Sequence, residues 1–123
     1  MIALRLAALL AIFSACAASV PEISVQELKG KIDRKDKFIL VDVREPKEYA
    51  IAKISGSTLI PLGSLSDRLG ELDKSAKLIV HCKAGGRSAK AVRLLREKGY
   101  DAVNVAGGID AWSESIDSSV PKY

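Results

Sequence analysis

Residues 77–88 read Lys-Leu-Ile-Val-His-Cys-Lys-Ala-Gly-Gly-Arg-Ser and join an apolar run to an amphipathic one. The run Lys77–His81 is typical of a strand that is buried in a parallel sheet. The segment Arg87–Lys98 predicts a helix, because its apolar residues recur on one helical face and Gly99 follows as a stop signal. A buried strand that leads through a glycine-rich turn into a helix is typical of an α/β protein.

The same alternation of apolar runs and helical periods extends over residues 21–123. Ser24 is a suitable N-cap for the first helix, and Pro46 suits the first turn of the second. Strands that alternate with helices predict an α/β fold with a parallel sheet in a single domain. The predicted helices are Val25–Lys29, Glu45–Ala50, Ser64–Leu72 and Ile109–Glu114, and the other predicted strands are Phe38–Val43, Ser57–Ile60 and Ala102–Val105.

Composition narrows the classes of function. The chain has 123 residues, of which 48% are hydrophobic and 28% charged, the balance of an ordinary globular domain rather than a disordered or multi-span membrane protein. Its formal net charge of +4 is scattered along the sequence. Because no basic patch with interleaved aromatic residues is present, we expect no nucleic-acid partner.

Residues 1–20 resemble a targeting segment rather than part of the domain. Arg5 precedes the apolar run Leu6–Phe13, and small residues follow, which is the pattern of a secretory signal. Cleavage after Ala17 would release a soluble protein, whereas a lipobox reading of residues 13–16 would make Cys16 a lipidated membrane tether. We therefore expect an exported protein, periplasmic or membrane-anchored. A misassigned start would instead leave it in the cytoplasm.

Cys82 stands at the carboxyl end of the strongest predicted strand, where parallel sheets bind their ligands. The glycines that follow let backbone N–H groups point inward, and the next helix adds the positive end of its dipole. This setting should lower the pKa of the thiol, although a buried, inert cysteine is the alternative. The candidate nucleophile is therefore Cys82, and the candidate binding loop is Lys83, Ala84, Gly85, Gly86, Arg87 and Ser88.

Four segments of the sequence follow a recognisable order: Val41–Tyr49, Lys53–Ser57 with Ile60 and Pro61, Cys82–Ser88, and Asn104–Trp112. Together they resemble the motifs of the rhodanese-like domain family. The second segment departs from the usual family pattern, because Lys53 and Ser55 stand where the family has His and Pro. The ending Trp112–Tyr123 is similar to that of the C-terminal rhodanese domains of adenylyltransferase–sulfurtransferases.

The resemblance implies a central parallel sheet of about five strands flanked by helices on both faces. It also implies sulfur transfer: the Cys82 thiolate takes sulfane sulfur from thiosulfate or a persulfide and passes it to a thiol, cyanide or a carrier protein. A non-catalytic binding or sulfur-relay module with the same fold is the alternative. A phosphatase or arsenate reductase is more remote, because only four residues separate Cys82 from Arg87, one fewer than in phosphotyrosine-type loops.

Several other residues leave alternatives open. Asp42 and Arg44 share one face of their strand and are expected to support the site, either as scaffold or electrostatically. Arg87 could clamp an anionic donor or form a salt bridge with a carboxylate. Lys83 is expected to be exposed, and His81 should point away from Cys82 in an extended strand, which makes it an unsuitable general base.

The cysteine and histidine content limits what else the domain can hold. Cys16 and Cys82 are the two cysteines, and His81 is the single histidine. With one cysteine in residues 21–123, no disulfide can form within the domain, and the ligands of a zinc site are lacking. We expect no metal, no cofactor and a monomer.

Overall fold

The computed structural model describes residues 19–123. Ser24 caps the first helix by accepting a hydrogen bond from the amide of Glu27 at 3.0 Å. The strands of this part of the chain are β1 (Glu22–Ile23), β2 (Ile39–Asp42), β3 (Thr58–Leu59), β4 (Lys77–His81) and β5 (Asp101–Val105). Its α-helices are α1 (Val25–Asp33), α2 (Pro46–Ile51), α3 (Gly86–Glu97) and α4 (Gly108–Ser115), and two 3₁₀ helices span Leu62–Ser64 and Ser66–Glu71.

All five strands pair in parallel, in the order β1-β5-β4-β2-β3. The chain leaves β2 toward one edge of the sheet and leaves β4 toward the other. The carboxyl ends of these two neighbouring strands therefore flank a crevice at a topological switch point, where open α/β sheets bind ligands. Asp42 and His81 are register partners at this position, and Cys82 follows immediately.

The sheet is covered on both faces, because adjacent residues of a strand point to opposite sides. One face packs against α3 and the 3₁₀ segments through residues such as Val41, Val80 and Leu95. The other packs against α1 and α4 through residues such as Leu40, Leu28 and Trp112. The predicted single α/β domain with a five-stranded parallel sheet and helices on both faces is thus confirmed.

The segment predicted as the helix Ser64–Leu72 is wrong in type, because it forms 3₁₀ rather than α-helix. Its amides bond three residues back, as in Arg68 N to Leu65 O at 3.1 Å. Leu65 and Leu72 are still buried, as the apolar pattern predicts. Gly63 and Gly70, which disfavour an α-helix, lie within this region.

Two other differences concern the start of the domain. Helix α1 continues four residues beyond the predicted Lys29. Strand β1 has only two residues, which is too short for a periodic pattern to indicate it. It pairs with β5 at the edge of the sheet. There the backbone N–H of Asn104 donates to the carbonyl of Pro21 at 2.8 Å.

Candidate active site

Cys82 lies directly after β4 and is only 2% exposed. Its Sγ receives a hydrogen bond from the amide of Gly85 at 3.1 Å and one from the hydroxyl of Ser88 at 3.2 Å. Helix α3 begins at Gly86, so its N-terminal amides face the sulfur. The loop therefore presents hydrogen-bond donors to a single sulfur atom.

The electrostatic setting favours the thiolate. Burial raises the pKa of the Cys82 thiol, but donors from Ser88, Gly85 and Ala84 outweigh burial, and the pKa is lowered from its ordinary value. The hydroxyl of Ser88 is the strongest of these donors, followed by the backbone amide of the same residue. A lowered pKa increases the fraction of the thiol that is present as thiolate, the nucleophilic form of cysteine.

Gly85 gives the loop its turn. Its φ of +113° is a conformation that L side chains rarely adopt, which explains why glycine stands here. The carbonyl of Gly85 accepts a hydrogen bond from Nδ2 of Asn104 at 3.2 Å, so β5 holds the turn from the side. The sequence predicted the turn but assigned no role to Asn104.

The start of α4 holds the other side of the loop. The amides of Ile109 and Asp110 donate to the carbonyls of Cys82 and Lys83 at 2.9 and 3.0 Å. Gly108 approaches so closely that a Cβ on it would lie 2.5 Å from both carbonyl oxygens. Glycine at position 108 is thus a packing requirement of the loop.

Arg87 binds Glu48 with both ends of its guanidinium group. The Nη1–Oε1 and Nη2–Oε2 distances are 2.6 and 2.9 Å. Glu48 also accepts from the amide of Glu45 at 3.0 Å and from the hydroxyl of Tyr123 at 2.7 Å. The Arg87 guanidinium holds the pKa of Glu48 well below its usual range. Of the two readings of Arg87, the structure shows the salt bridge.

Lys83 is paired rather than freely exposed, so the expectation of an exposed side chain is wrong. Its Nζ lies 3.0 and 3.1 Å from the two carboxylate oxygens of Asp110, and the side chain is 33% exposed. The same Nζ lies 4.6 Å from the centroid of the Tyr123 ring. The short α4 junction brings Asp110 to this position.

Asp42 and Arg44 form a fully buried ion pair, with an Nη2–Oδ2 distance of 2.7 Å. Arg44 also donates to the carbonyl of Ala52 at 2.6 Å and to the hydroxyl of Tyr123 at 2.7 Å. Every one of these partners lies on the scaffold around the loop, and none is the sulfur. Their support of the site is therefore through position: they join the end of β2 to the C-terminal segment.

His81 is fully buried beside Asp42. Its Nδ1 lies 3.2 Å from the carbonyl oxygen of Cys82, and its Nε2 lies 3.7 Å from Oδ2 of Asp42 and has no hydrogen-bond partner. Because a carbonyl can only accept, Nδ1 carries the proton in the neutral ring. Burial lowers the pKa of His81. The ring makes no hydrogen bond to the Cys82 sulfur, in agreement with its predicted divergence from the thiol.

The predictions for the leader lie outside the described residues, Cys16 and its lipidation among them. In residues 19–123, no helix is long and apolar enough to cross a membrane. In the same range, no group of three or more His, Cys, Asp and Glu side chains is placed to hold a metal ion.

Glu48, Asp110 and Tyr123 are the site residues that the sequence did not single out. Glu48 and Asp110 fall within segments that carry the family resemblance, and Tyr123 ends the segment that resembles adenylyltransferase–sulfurtransferases. The family resemblance therefore covered these residues, but it did not indicate which side chains they contact. Glu48 meets Arg87 from 39 positions away in the sequence, a distance at which spacing carries no information.

The fold and the loop define a class: parallel α/β domains in which a buried cysteine at the switch point is surrounded by inward-facing donors. Within that class the chain belongs to the rhodanese-like domain family, whose sequence profile matches residues 24–115.

Relatives and solved structures agree with this assignment. The maize adenylyltransferase and sulfurtransferase MOCS3-2 is 38% identical over 109 residues, which cover 82% of this chain and 23% of the maize protein. A crystal structure of a rhodanese-like domain protein from Staphylococcus aureus has a TM-score of 0.75 at 36% identity, covering 85% of this chain and 99% of that one. The human single-domain sulfurtransferase TSTD1 has a TM-score of 0.73 at 28% identity, covering 79% of this chain and 98% of the human one.

Proposed function

We propose that this protein is a sulfurtransferase that carries sulfane sulfur as a persulfide on Cys82. Sulfur transfer in general is supported by membership of the rhodanese-like family and by relatives that are named sulfurtransferases. The donor that we propose is thiosulfate or a persulfide. The acceptor is a thiol, cyanide or a sulfur-carrier protein.

The observation that carries the proposal is the set of donors around Sγ. The Gly85 amide and the Ser88 hydroxyl already reach the sulfur at 3.1 and 3.2 Å. The first amides of α3 face the same space. A terminal sulfur added to Cys82 would meet these donors as an oxyanion meets its binding site. Such stabilisation of a charged leaving or attacking sulfur is what covalent sulfur transfer requires.

The chemistry needs no oxidant. With thiosulfate, the Cys82 thiolate attacks the outer sulfur, the S–S bond of the donor breaks, and sulfite leaves with the bonding electron pair. Cys82 then carries a persulfide. An acceptor thiolate attacks the terminal sulfur, and the Cys82 thiolate is released. The two half-reactions give a ping-pong scheme.

The structure gives less support to the other candidates. A non-catalytic module with this fold would not need a thiol with a lowered pKa. In a phosphatase the loop arginine would have to face a phosphate, whereas Arg87 here is bound to Glu48.

The test is to measure the intact mass of the full chain after incubation with thiosulfate or a small organic persulfide. We expect wild type and a Cys16→Ser variant to gain one sulfur atom, and to release thiocyanate when cyanide is added. A Cys82→Ser variant should do neither. If wild type gains no sulfur from either donor, Cys82 is not a sulfur carrier and the binding-module reading takes its place.

A further inference from the structure

Both basic side chains of the catalytic loop are paired with carboxylates. Arg87 is bound at both ends by Glu48, at 2.6 and 2.9 Å. Lys83 is bound by both oxygens of Asp110, at 3.0 and 3.1 Å. The two pairs therefore neutralise both basic side chains of the loop that follows Cys82. What remains for an incoming anion is the set of neutral N–H and O–H donors.

The Glu48 pair is a fixed part of the site rather than a mobile surface contact. The Glu48 side chain is only 11% exposed. Besides Arg87, it accepts from the Glu45 amide at 3.0 Å and from the Tyr123 hydroxyl at 2.7 Å. That hydroxyl is itself held by the buried Arg44 at 2.7 Å. Because charge-assisted bonds to a partly buried carboxylate are strong, an incoming anion would have to displace a well-held partner.

We propose that Glu48 is a specificity-determining residue that withholds the Arg87 guanidinium from anionic donors, as Asp110 withholds the Lys83 ammonium. The inference rests on the proposed function and narrows its substrate class. The low pKa of Glu48 keeps it charged throughout the neutral range, so the guanidinium stays masked at working pH.

The consequence concerns the leaving group. Thiosulfate arrives as a dianion and leaves as sulfite, which also carries two charges. With Arg87 and Lys83 paired to carboxylates, the compensation of that charge falls mainly to the dipoles of the loop. An organic persulfide brings less charge. The Cys82 thiolate attacks its terminal sulfur, the S–S bond of the donor breaks, and the organic thiolate leaves with the electron pair and takes a proton from solvent. Cys82 then holds the persulfide. The site therefore favours organic persulfides over thiosulfate.

The first experiment uses alkylation of Cys82, which needs no sulfur chemistry. Iodoacetate is an anion and iodoacetamide is neutral, so the ratio of their rate constants reports the charge beside the thiol. The Cys82 peptide is quantified by mass spectrometry in the full chain, which separates it from Cys16. Glu48→Gln should raise the iodoacetate-to-iodoacetamide ratio roughly 3- to 10-fold, since the amide no longer neutralises Arg87.

A matched control carries the same loss of one negative charge. Glu97 is exposed at the far end of α3, roughly 16 Å along the helix from the loop. Glu97→Gln should leave the ratio within about twofold of wild type. An increase with Glu97→Gln as large as that with Glu48→Gln would overturn the proposal, because the effect would then be a general field.

Asp110→Asn removes the partner of Lys83 at a more exposed position and should raise the ratio in the same direction. If Glu48→Gln does not fold, Asp110→Asn alone tests whether a carboxylate masks a basic side chain of the loop. An unchanged ratio in whichever of the two variants folds would overturn the proposal.

The second experiment compares kcat/KM for thiosulfate with kcat/KM for the persulfide of 2-mercaptoethanol, whose carrier is uncharged. Glu48→Gln should shift this preference toward thiosulfate by the same ~3- to 10-fold, mainly through KM. A shift toward the persulfide would overturn the proposal. If wild type uses neither donor, the proposed function fails, while the alkylation ratio still decides whether Glu48 masks Arg87.

Discussion

At the scale of single residues, Ser88 is the strongest of the hydrogen-bond donors that lower the pKa of the Cys82 thiol. Its hydroxyl is fully buried and donates to Sγ of Cys82 at 3.2 Å. A hydrogen bond to the charged form of a group favours that form, so removing the donor raises the pKa of the thiol. We expect Ser88→Ala to raise that pKa, since a hydrogen bond to a charged group contributes roughly 1.5–3 kcal/mol and water replaces only part of it.

The measurement is the pH dependence of Cys82 alkylation by iodoacetamide. The rate of Ser88→Ala should fall at neutral pH and reach the wild-type plateau only at higher pH. Ser113→Ala is the matched control, because that hydroxyl is also buried but donates to the carbonyl of Val120 at 2.7 Å. Coincident profiles for wild type and Ser88→Ala would show that the backbone amides alone set the pKa.

At the scale of elements, the junction between the loop Cys82–Ser88 and α4 has no room for a side chain at Gly108. A Cβ at Gly108 would lie 2.5 Å from the carbonyl oxygens of Cys82 and Lys83, and the φ of this residue is +57°. Both atoms are backbone, so neither can move without displacing the loop. We expect Gly108→Ala to lower the free energy of unfolding by about 2–4 kcal/mol through overpacking and backbone strain.

Urea unfolding of Gly108→Ala and of a control checks this. Gly70→Ala is suitable, because a Cβ there has no neighbour within 4 Å and the φ of Gly70 is not positive. Its stability should be unchanged or slightly higher, as expected when alanine restricts the unfolded chain at a compatible position. Equal stabilities for the two variants would mean that the loop and α4 can move apart at little cost in free energy.

The elements that the sequence predicted well are those with a long periodic signal. Helix α3 and strand β4 carry clear apolar patterns, and the structure places them within one or two residues of prediction. The pattern failed where the element was short or the hydrogen bonding unusual, as in the two-residue β1 and the 3₁₀ segment Ser66–Glu71. Strand β1 is defined by its pairing with β5, whereas the 3₁₀ region contains Gly63 and Gly70, which disfavour an α-helix.

The candidate site, too, could be predicted from the sequence only in part. The loop Cys82–Ser88 could be predicted because its groups are contiguous in sequence. The carboxylates that pair with its basic residues could not, since Glu48 and Asp110 come from α2 and α4 and are placed by the packing of the sheet. The expectation of an exposed Lys83 was wrong for this reason.

At the scale of the whole molecule, two ion pairs are linked through the last residue of the sequence. The hydroxyl of Tyr123 accepts from Arg44, which is paired with Asp42 at the end of β2, and donates to Glu48, which is paired with Arg87 at the start of α3. The chain thus closes on the crevice between β2 and β4. The loop is held by contacts that form only when the entire domain is folded.

The free energy of unfolding should depend on pH. As the pH falls, protonation of His81 should be the first to lower it. The folded state lowers the pKa of His81 below its ordinary value of 6.5, mainly because the ring is buried, with the nearby Asp42 opposing this. The unfolded chain therefore binds the proton more tightly. The stabilisation is complete above pH 6.5 and is lost as the pH falls through that value, with a limiting slope of about 1.4 kcal/mol per pH unit.

Glu48 should follow at lower pH. Its folded-state pKa lies well below the ordinary 4.5, chiefly because of Arg87, so its stabilisation is present above pH 4.5 and is lost below it. Urea unfolding between pH 8 and 4 should therefore show a plateau, a decline below about 6.5 and a steeper decline below about 4.5. His81→Asn, whose amide can still donate to the carbonyl of Cys82, should remove the first decline and keep the second. A first decline that persists in His81→Asn would assign it to groups other than this buried ring.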